Sequence, residues 1–304
     1  MKYPIDYVVT FVDGTDPNWK KEYAKRMHGE IPKSNSKRYR NMDTLKYAFR
    51  GIEQNADWIN RVILIVQQES QIPPWLNRKH KKLKIIYHKD FIPRRFLPTF
   101  NSNVIELFTH RIKGLSENFL IANDDMIIVG KVSPEDFFRD GIPVDCSDSY
   151  TEDYKLEGTG IFKYIKYNTL KLACELVGRS PVYFRNFHLI MPHSKQIWQE
   201  VWAKAGEKIL HSISNSPKRT RLNVNHWLFR YYGLLTKRRV INPEMNRQGY
   251  IDLEDSTNFV RLNYLLKRSN VVCINDGVKS NTKVIDEMKA VLEKHLSKKS
   301  SFEV

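Results

Sequence analysis

Short apolar runs recur through the first half of the chain, and polar or amphipathic segments separate them. The runs lie at residues 5–12, 61–67, 83–87, 119–122 and 126–129. Each is rich in β-branched side chains and is apolar at nearly every position, which is typical of a strand buried on both faces of a sheet. We therefore predict five strands in this half and a shorter one at 271–274.

Amphipathic segments predict the helices. Residues 43–55 place Leu45, Ala48, Phe49 and Ile52 on one face at helical spacing. Similar patterns occur at 20–27, 101–112, 164–177, 195–205, 224–235 and 284–296. The alternation of strands and helices predicts an α/β fold, Rossmann-like or GT-A-like, with a mostly parallel sheet flanked by helices and a more helical C-terminal half. We expect the lysine-rich tail after residue 297 to fray.

The charge balance points to an anionic partner. The 304 residues include 50 Lys and Arg against 34 Asp and Glu, a net charge of +16. Nucleic acid, a phosphorylated substrate and an acidic membrane surface would each match this charge. The hydrophobic fraction of 41% excludes a fully disordered chain. The three cysteines form no metal or disulfide pattern, and no apolar run is long enough to span a bilayer, so we expect a cytoplasmic protein.

Acidic clusters follow two of the predicted strands. Asp13, Gly14 and Asp16 follow the first strand, and Asp124 and Asp125 follow the fourth. Because the carboxyl ends of parallel strands meet at one edge of a sheet, we expect both clusters to face one crevice. Carboxylates there suit a hard divalent cation, although a capped turn explains either cluster taken alone.

Other polar residues suit the binding of an anion or the transfer of a proton. Arg38 and Arg40 lie in a basic loop, and Asn101 and Ser102 stand at a predicted helix start. The second half offers four further candidates, which are His188, His193, Arg221 and His226. A solvated loop, a plain helix cap and structural histidines are the alternatives for these groups.

The same segments, in the same order, resemble the four conserved regions of the stealth proteins. Residues 5–19, 36–138, 185–235 and 271–277 resemble the first to the fourth region. The resemblance rests on IDYVVTFVDGTDPNW, RYRNMDTLKYAFRGIEQNADWINRVILIV, NFLIANDDM, MPHSKQIWQEVW and VVCINDG. Stealth proteins are sugar-1-phosphate transferases, which include bacterial capsule polymerases and the catalytic part of a lysosomal-enzyme GlcNAc-1-phosphotransferase.

The resemblance implies a UDP-sugar donor and an oligosaccharide or lipid-linked saccharide as acceptor. A sugar hydroxyl would attack the phosphorus nearer the donor sugar, UMP would leave, and a phosphodiester would form. Mg²⁺ or Mn²⁺ is the expected cofactor. The chain would comprise a nucleotide-sugar-binding part, 1–140, and a helical part, 141–304, which completes the site, or one continuous catalytic domain.

The resemblance also implies roles for the candidate residues. Asp13, Gly14 and Asp16 would hold the donor nucleotide, and Arg38 and Arg40 would bind its diphosphate. The donor would also be contacted by Asn101, Ser102, Asn275 and Asp276. Asp124 and Asp125 would orient the acceptor or hold the metal, and Arg221 would stabilise the transferring phosphoryl group. We favour His193 as the general base because Met-Pro-His aligns directly, with His188 as the alternative.

A metal-dependent glycosyltransferase of GT-A type is the main alternative. In such an enzyme Asn123-Asp124-Asp125 would act as the metal motif, and the product would be UDP. A nucleic-acid partner is not expected, because the basic residues are spread along the chain without a recognised motif. Basic loops and the C-terminal lysines allow peripheral association with the inner face of the cell membrane.

Overall fold

The computed structural model describes residues 3–32, 37–146, 149–150, 156–185, 188–242, 248–254, 258–277 and 279–304. Within these ranges the chain forms eight α-helices and thirteen β-strands. The helices are α1 (Pro17–Met27), α2 (Thr44–Asn55), α3 (Ser102–Leu107), α4 (Ile161–Glu175), α5 (Lys195–Ile213), α6 (Trp227–Leu235), α7 (Asn258–Arg268) and α8 (Thr282–His295). The strands are β1 (Ile5–Thr10), β2 (Arg61–Val66), β3 (Leu83–Tyr87), β4 (Asn118–Asn123), β5 (Met126–Ile128), β6 (Phe138–Arg139), β7 (Ile142–Asp145), β8 (Ser149–Tyr150), β9 (Tyr183–Phe184), β10 (Met191–Ser194), β11 (Val240–Ile241), β12 (Gln248–Leu253) and β13 (Val271–Asp276).

The central sheet has five strands in the order β10-β4-β1-β2-β3. β1 is parallel to both β2 and β4, β2 is parallel to β3, and β10 is antiparallel to β4. The chain therefore builds β2 and β3 on one side of β1 and then returns to place β4 on the other side. This reversal is a topological switch point, and ligands of such sheets bind beyond the carboxyl ends of the strands at that point.

A smaller sheet has the order β12-β13-β5. β5 follows β4 after the turn at Asp124 and Asp125, and β13 is antiparallel to β5. The end of β13 therefore runs toward this turn, where the Ile274 amide donates a hydrogen bond of 2.9 Å to the Asp125 carbonyl. This pairing joins segments from both sides of the boundary predicted at residue 140.

Apolar side chains cover both faces of the central sheet. β2 directs Ile63 and Ile65 into the core shared with α5 and α6, and Val62 and Leu64 into the core shared with α2. Burial on both faces explains why these strand sequences are apolar at nearly every position. A third cluster packs α7 and α8 against the smaller sheet.

The structure confirms the α/β fold with a mostly parallel sheet, and the five strands predicted in the first half are β1 to β5. The helix predicted at 195–205 continues to Ile213, and the one predicted at 101–112 ends at Leu107. Among the described residues, no helix combines the length and the apolar composition needed to cross a bilayer.

The prediction that the C-terminal tail frays is wrong. Phe302 is only 2% exposed, and its ring lies 5.1 Å from that of Phe49 in α2 and 3.8 Å from that of His80. Its carbonyl accepts a hydrogen bond of 2.7 Å from the Asn77 amide. Phe302, a buried aromatic residue, therefore anchors a tail that is mostly polar in sequence.

Candidate active site

A cavity of about 1060 Å³ opens beyond the carboxyl ends of β1 and β4, at the switch point of the central sheet. The structure brings seven of the predicted site residues to its lining: Arg38, Arg40, Ser102, Asp124, Asp125, Asn275 and Asp276. The predicted residues that do not line the cavity are Asp13, Gly14, Asp16, Asn101, His193 and Arg221.

Asp13 organises the turn after β1. Its Oδ1 accepts hydrogen bonds from the amide and the hydroxyl of Thr15 at 2.8 and 2.6 Å, and its Oδ2 accepts one from Asn41 Nδ2 at 3.1 Å. Gly14 packs against Tyr39: its amide donates to the Tyr39 carbonyl at 2.7 Å, and a Cβ at this position would lie 2.6 Å from that oxygen. The turn thus positions the neighbouring basic segment, and Asp13 and Gly14 do not themselves line the cavity.

Asp16 anchors the start of α1. Its Oδ1 accepts a hydrogen bond from the Asn18 amide at 2.9 Å, and its Oδ2 accepts from Ser70 Oγ at 2.6 Å and Gln71 Nε2 at 2.8 Å. Burial acts to raise the pKa of Asp16, but these hydrogen bonds lower it below its usual value. The carboxylate oxygens are therefore occupied by the protein itself.

The basic segment, residues 37–40, is fixed to the end of β13. Arg40 Nε donates to Asp276 Oδ2 at 2.8 Å, and Arg40 Nη2 contacts the other carboxylate oxygen and Ser280 Oγ. Lys37 Nζ donates to the Ser280 carbonyl at 2.9 Å. Because Asp276 neutralises Arg40, this pair closes one side of the cavity and leaves the other arginines to bind a ligand.

Two arginines are placed to bind phosphate oxygens. Arg38 lines the cavity and makes no hydrogen bond or ion pair with any described residue. Arg219 lines it from the loop before α6 and donates to Ser102 Oγ through Nε at 3.2 Å and Nη2 at 2.6 Å. Arg221, the predicted residue, lies outside the cavity with its guanidinium 4.8 Å from the Tyr164 ring centroid. The structure therefore brings Arg219, and not Arg221, to the site.

Asn101 supports this arrangement from within the protein. It is fully buried, caps α3 through its side-chain oxygen, and donates through Nδ2 to the Ser216 carbonyl at 3.0 Å and Asn223 Oδ1 at 2.9 Å. These bonds fix the start of α3, which carries Ser102, to the loop that carries Arg219. Its contribution to the site is therefore indirect.

Asp124 and Asp125 place two carboxylates side by side in the turn between β4 and β5. Burial and the charge of Asp125 raise the pKa of Asp124, and burial raises that of Asp125. Asp125 Oδ1 is buried without a hydrogen-bond partner among the described residues, as is the hydroxyl of nearby Tyr7. Such a pair of carboxylates attracts a cation.

The side chains around Asp125 favour oxygen ligands for a cation. One ligand atom each of Asp125, His188 and Cys273 lie within 4.8 Å of one another. Burial and the charge of Asp125 raise the pKa of the Cys273 thiol well above its usual value. A thiol is a soft ligand, whereas hard divalent ions take oxygen ligands. The residues that suit a hard divalent ion are therefore the two carboxylates of Asp124 and Asp125.

The two candidate histidines occupy opposite environments. His188 lines the cavity, with Nε2 3.9 Å from Asp125 Oδ2 and 3.4 Å from Asn123 Nδ2. His193 lies on β10, is 1% exposed, and accepts a hydrogen bond of 3.1 Å from Trp198 Nε1. Burial lowers the pKa of His193 well below its usual value. Only His188 is placed to meet a substrate.

A buried acid–histidine pair lies behind Arg219. His226 Nδ1 is 2.6 Å from Glu106 Oε2, and the side chains are 14% and 7% exposed. Burial acts to raise the pKa of Glu106, but the charges of His226 and Arg219 lower it. The Glu106 carboxylate therefore stays ionised, and its negative charge stabilises the positive charge of the Arg219 guanidinium.

The end of the smaller sheet closes the cavity opposite β1. Asn275 donates through Nδ2 to Asp252 Oδ1 at 2.6 Å, and Tyr250 on β12 lines the cavity near His188, with ring centroids 6.2 Å apart. Of the candidates that the sequence offered in the C-terminal half, Asn275, Asp276 and His188 line the cavity.

Several lining residues are absent from the sequence-based candidates. Gln67 and His88 directly follow β2 and β3. The rule that polar residues at the carboxyl ends of parallel strands face the ligand crevice, which selected Asp124, would also have selected them. Phe162 and Trp227 stand at the starts of α4 and α6 and line the other side. No local pattern distinguishes them from core aromatic residues.

Comparisons with known proteins identify the family of this chain. The family model for the stealth protein conserved region 2 matches residues 38–144. The capsular polysaccharide phosphotransferase WcwK of Streptococcus pneumoniae is 32% identical over 98% of both chains. The receptor polysaccharide phosphotransferase WefC of Streptococcus oralis is 31% identical over 99% of both chains. An exopolysaccharide phosphotransferase of Streptomyces coelicolor is 34% identical over 98% of this chain and 51% of its own length. The chain therefore belongs to the stealth family and is a phosphotransferase.

Proposed function

We propose that this enzyme transfers hexose-1-phosphate from a UDP-sugar to a saccharide hydroxyl, with release of UMP and formation of a phosphodiester, during the synthesis of a cell-surface polysaccharide. One observation carries the proposal: a single cavity at the switch point is lined by Arg38 and Arg219, by the carboxylates of Asp124 and Asp125, and by His188. The names of the three relatives, which are phosphotransferases of capsular, receptor and exopolysaccharides, support the choice of acceptor class.

Phosphoryl transfer depends on positioning and on neutralising the phosphate oxygens. Arg38 and Arg219 bind the donor diphosphate, and Ser102 holds the Arg219 guanidinium in place through its hydroxyl. A guanidinium presents two N–H groups in one plane, which matches two oxygens of a phosphate. These contacts keep the phosphorus nearer the sugar exposed to attack.

His188 is the general base in this proposal. It takes the proton of the acceptor hydroxyl while that oxygen bonds to the phosphorus nearer the donor sugar. The bond from this phosphorus to the bridging oxygen breaks, and UMP leaves with that oxygen. Asp125, 3.9 Å from His188 Nε2, stabilises the imidazolium that forms.

A divalent cation, Mg²⁺ or Mn²⁺, fits the residues at the turn between β4 and β5. Asp124 and Asp125 would hold it, because both supply hard oxygen ligands and one buried oxygen of Asp125 has no partner among the described residues. When bound, such an ion would neutralise charge on the phosphate oxygens.

The acceptor saccharide would enter along α4 and α6. Phe162 lines this side of the cavity, is 53% exposed, and packs edge-to-face on Trp227 at 5.6 Å between ring centroids. An exposed aromatic ring on a rigid support suits the apolar face of a sugar ring. A free or a lipid-linked saccharide would present the same face.

The test is to follow the β-phosphorus of the donor. The purified enzyme is incubated with UDP-sugars labelled at that phosphorus, with acceptor saccharides, in the presence of Mg²⁺ or EDTA. We expect UMP as the nucleotide product, label in the saccharide, and loss of turnover in EDTA and in His188→Gln. UDP as the product would contradict the proposal and favour a glycosyltransferase. Full turnover in EDTA would show that the reaction does not require a divalent cation.

A further inference from the structure

The lining of the cavity changes in character across the central sheet. The described lining residues that follow β2 and β3 are uncharged, namely Gln67, Gln71 and His88, and so are Phe11 and Trp19 beside the end of β1. The charged residues Asp124 and Asp125 lie beyond β4, on the other side of β1. A ligand that fills the whole cavity therefore meets neutral groups at one end and charged groups at the other.

Two side chains on the neutral side have polar atoms without partners. His88 is 6% exposed, and its Nδ1 makes no hydrogen bond with a described residue. Gln67 Oε1 is also buried and without a partner in the described part of the chain. Buried polar atoms are nearly always satisfied, so these two are expected to find a partner when a ligand binds.

We propose that Gln67 and His88 form the nucleobase subsite for the donor, with the base beyond the ends of β2 and β3 and the diphosphate directed toward Arg38 and Arg219. This inference rests on the proposed function, because it identifies how the same cavity binds the nucleotide. It assigns to these residues the role expected for Asp13 and Asp16, whose carboxylate oxygens accept hydrogen bonds from their own turn and from Asn41, Ser70 and Gln71.

The chemistry of this side matches a pyrimidine base. A glutamine amide presents a donor and an acceptor side by side, and uracil carries an N–H group flanked by two carbonyl oxygens. Burial lowers the pKa of His88 to about 3, so the ring is neutral and offers one donor and one acceptor. Phe11 and Trp19 contribute apolar atoms to the cavity wall beside these residues.

A phosphate or a second metal would be bound poorly here. No arginine, lysine or carboxylate among the described lining residues comes from the ends of β1, β2 and β3. A diphosphate would therefore find no counter-charge at the ends of β2 and β3. Arg38 and Arg219 provide one, and Arg38 borders this side, since Tyr39 beside it packs on Trp19 with ring centroids 5.0 Å apart. The charge pattern thus orients the nucleotide.

The test separates base recognition from diphosphate binding. Calorimetric titrations with UDP and with inorganic pyrophosphate, both in Mg²⁺, are compared for the wild type, Gln67→Leu and His88→Leu. We expect each substitution to weaken UDP binding about ten-fold or more, because a buried base would lose its hydrogen-bond partner. Pyrophosphate binding should not change. Gln68→Leu is the matched control, since Gln68 neighbours Gln67 but bonds to Ser70 outside the cavity.

The outcomes distinguish the subsite from the proposed function. Unchanged UDP affinity in both cavity variants overturns the subsite, and so does an equal loss for UDP and pyrophosphate, which would indicate general damage to the cavity. In either case, continued release of UMP from a UDP-sugar would leave the proposed function standing. Wild-type enzyme that binds UDP no better than pyrophosphate also overturns the subsite, whereas UDP as reaction product would refute the function.

Discussion

At the scale of single residues, His188 and His193 show how tertiary position decides a role. We expect His188→Gln to lower kcat roughly 10²–10⁴-fold, the usual contribution of a general base, with little change in melting temperature. His193→Ala should instead destabilise the protein by about 2–5 kcal/mol, because it empties a core position and leaves the Trp198 N–H without its acceptor. Steady-state kinetics and urea unfolding of both variants check this, and a stable His193→Ala enzyme without turnover would return the role to His193.

A second pair of residues, Arg219 and Arg221, gives an equally direct comparison. Arg219→Lys should lower kcat/KM for the donor about 10²-fold, since a lysine cannot offer two N–H groups in a plane to the phosphate. Arg221→Lys should behave like the wild type, because its guanidinium stacks on Tyr164 outside the cavity. Donor kinetics of the two variants decide between them, and the reverse ranking would place Arg221 in the site.

The sequence predicted some of these positions and not others, for physical reasons. Asp124 and Asp125 were predictable because they follow a buried strand, and parallel strands share one carboxyl edge. The choice between His188 and His193 was not, because it depends on β10, a four-residue strand that pairs His193 with Phe119. MPHS shows no strand periodicity, so the burial of His193 is visible only in the fold.

At the scale of elements, α2 and the C-terminal tail act as one unit. Phe302→Ala should lower the free energy of unfolding by about 3–5 kcal/mol, since it removes a buried aromatic ring from between Phe49 and His80. Val304→Ala is the matched control, because Val304 is 77% exposed and should have little effect. Urea unfolding measures both, and equal stability of the two variants would show that the tail is not anchored.

The same unit contains a buried ion pair that makes its stability depend on pH. Arg50 Nε donates to Glu303 Oε1 at 2.8 Å, and burial, which acts to raise the pKa of Glu303, is outweighed by hydrogen bonds from Arg50 and Ser300 that lower it. A lowered pKa in the folded state stabilises the protein above the ordinary carboxylate range, and this contribution is lost as the pH falls through the folded pKa. The wild type should therefore exceed Glu303→Gln in stability near pH 7 and lose that advantage at about pH 4 and below. Urea unfolding at several pH values checks this, and a constant difference would contradict it.

At the scale of the whole molecule, the two halves differed in how well their patterns predicted the fold. Strands β1 to β5 were predictable because burial on both faces makes each an apolar run. The smaller sheet was predictable only in part. The apolar run of β13 was recognisable in the sequence, whereas β12 (Gln248–Leu253) carries polar residues and forms a strand by pairing with β13. This sheet brings Asn275 and Asp276 to a cavity that is also lined by the strand ends of the first half and by α4, α6 and the loops before β10 and α6, so the site requires contacts between distant segments.

The net charge of +16 leads to the last prediction, which concerns the effect of salt on the donor. Attraction between a basic protein and a diphosphate weakens as the Debye length falls, from about 10 Å at 0.1 M salt to about 3 Å at 1 M. The KM for the UDP-sugar should therefore rise with sodium chloride concentration. The kcat at saturating donor should change little, because salt screens contacts within the enzyme–donor complex less. Arg38→Gln should show a higher KM at low salt and a weaker dependence on salt, since Arg38 is a cavity cation that no described residue neutralises. A salt dependence equal to that of the wild type would mean that the remaining charge, and not Arg38, attracts the donor.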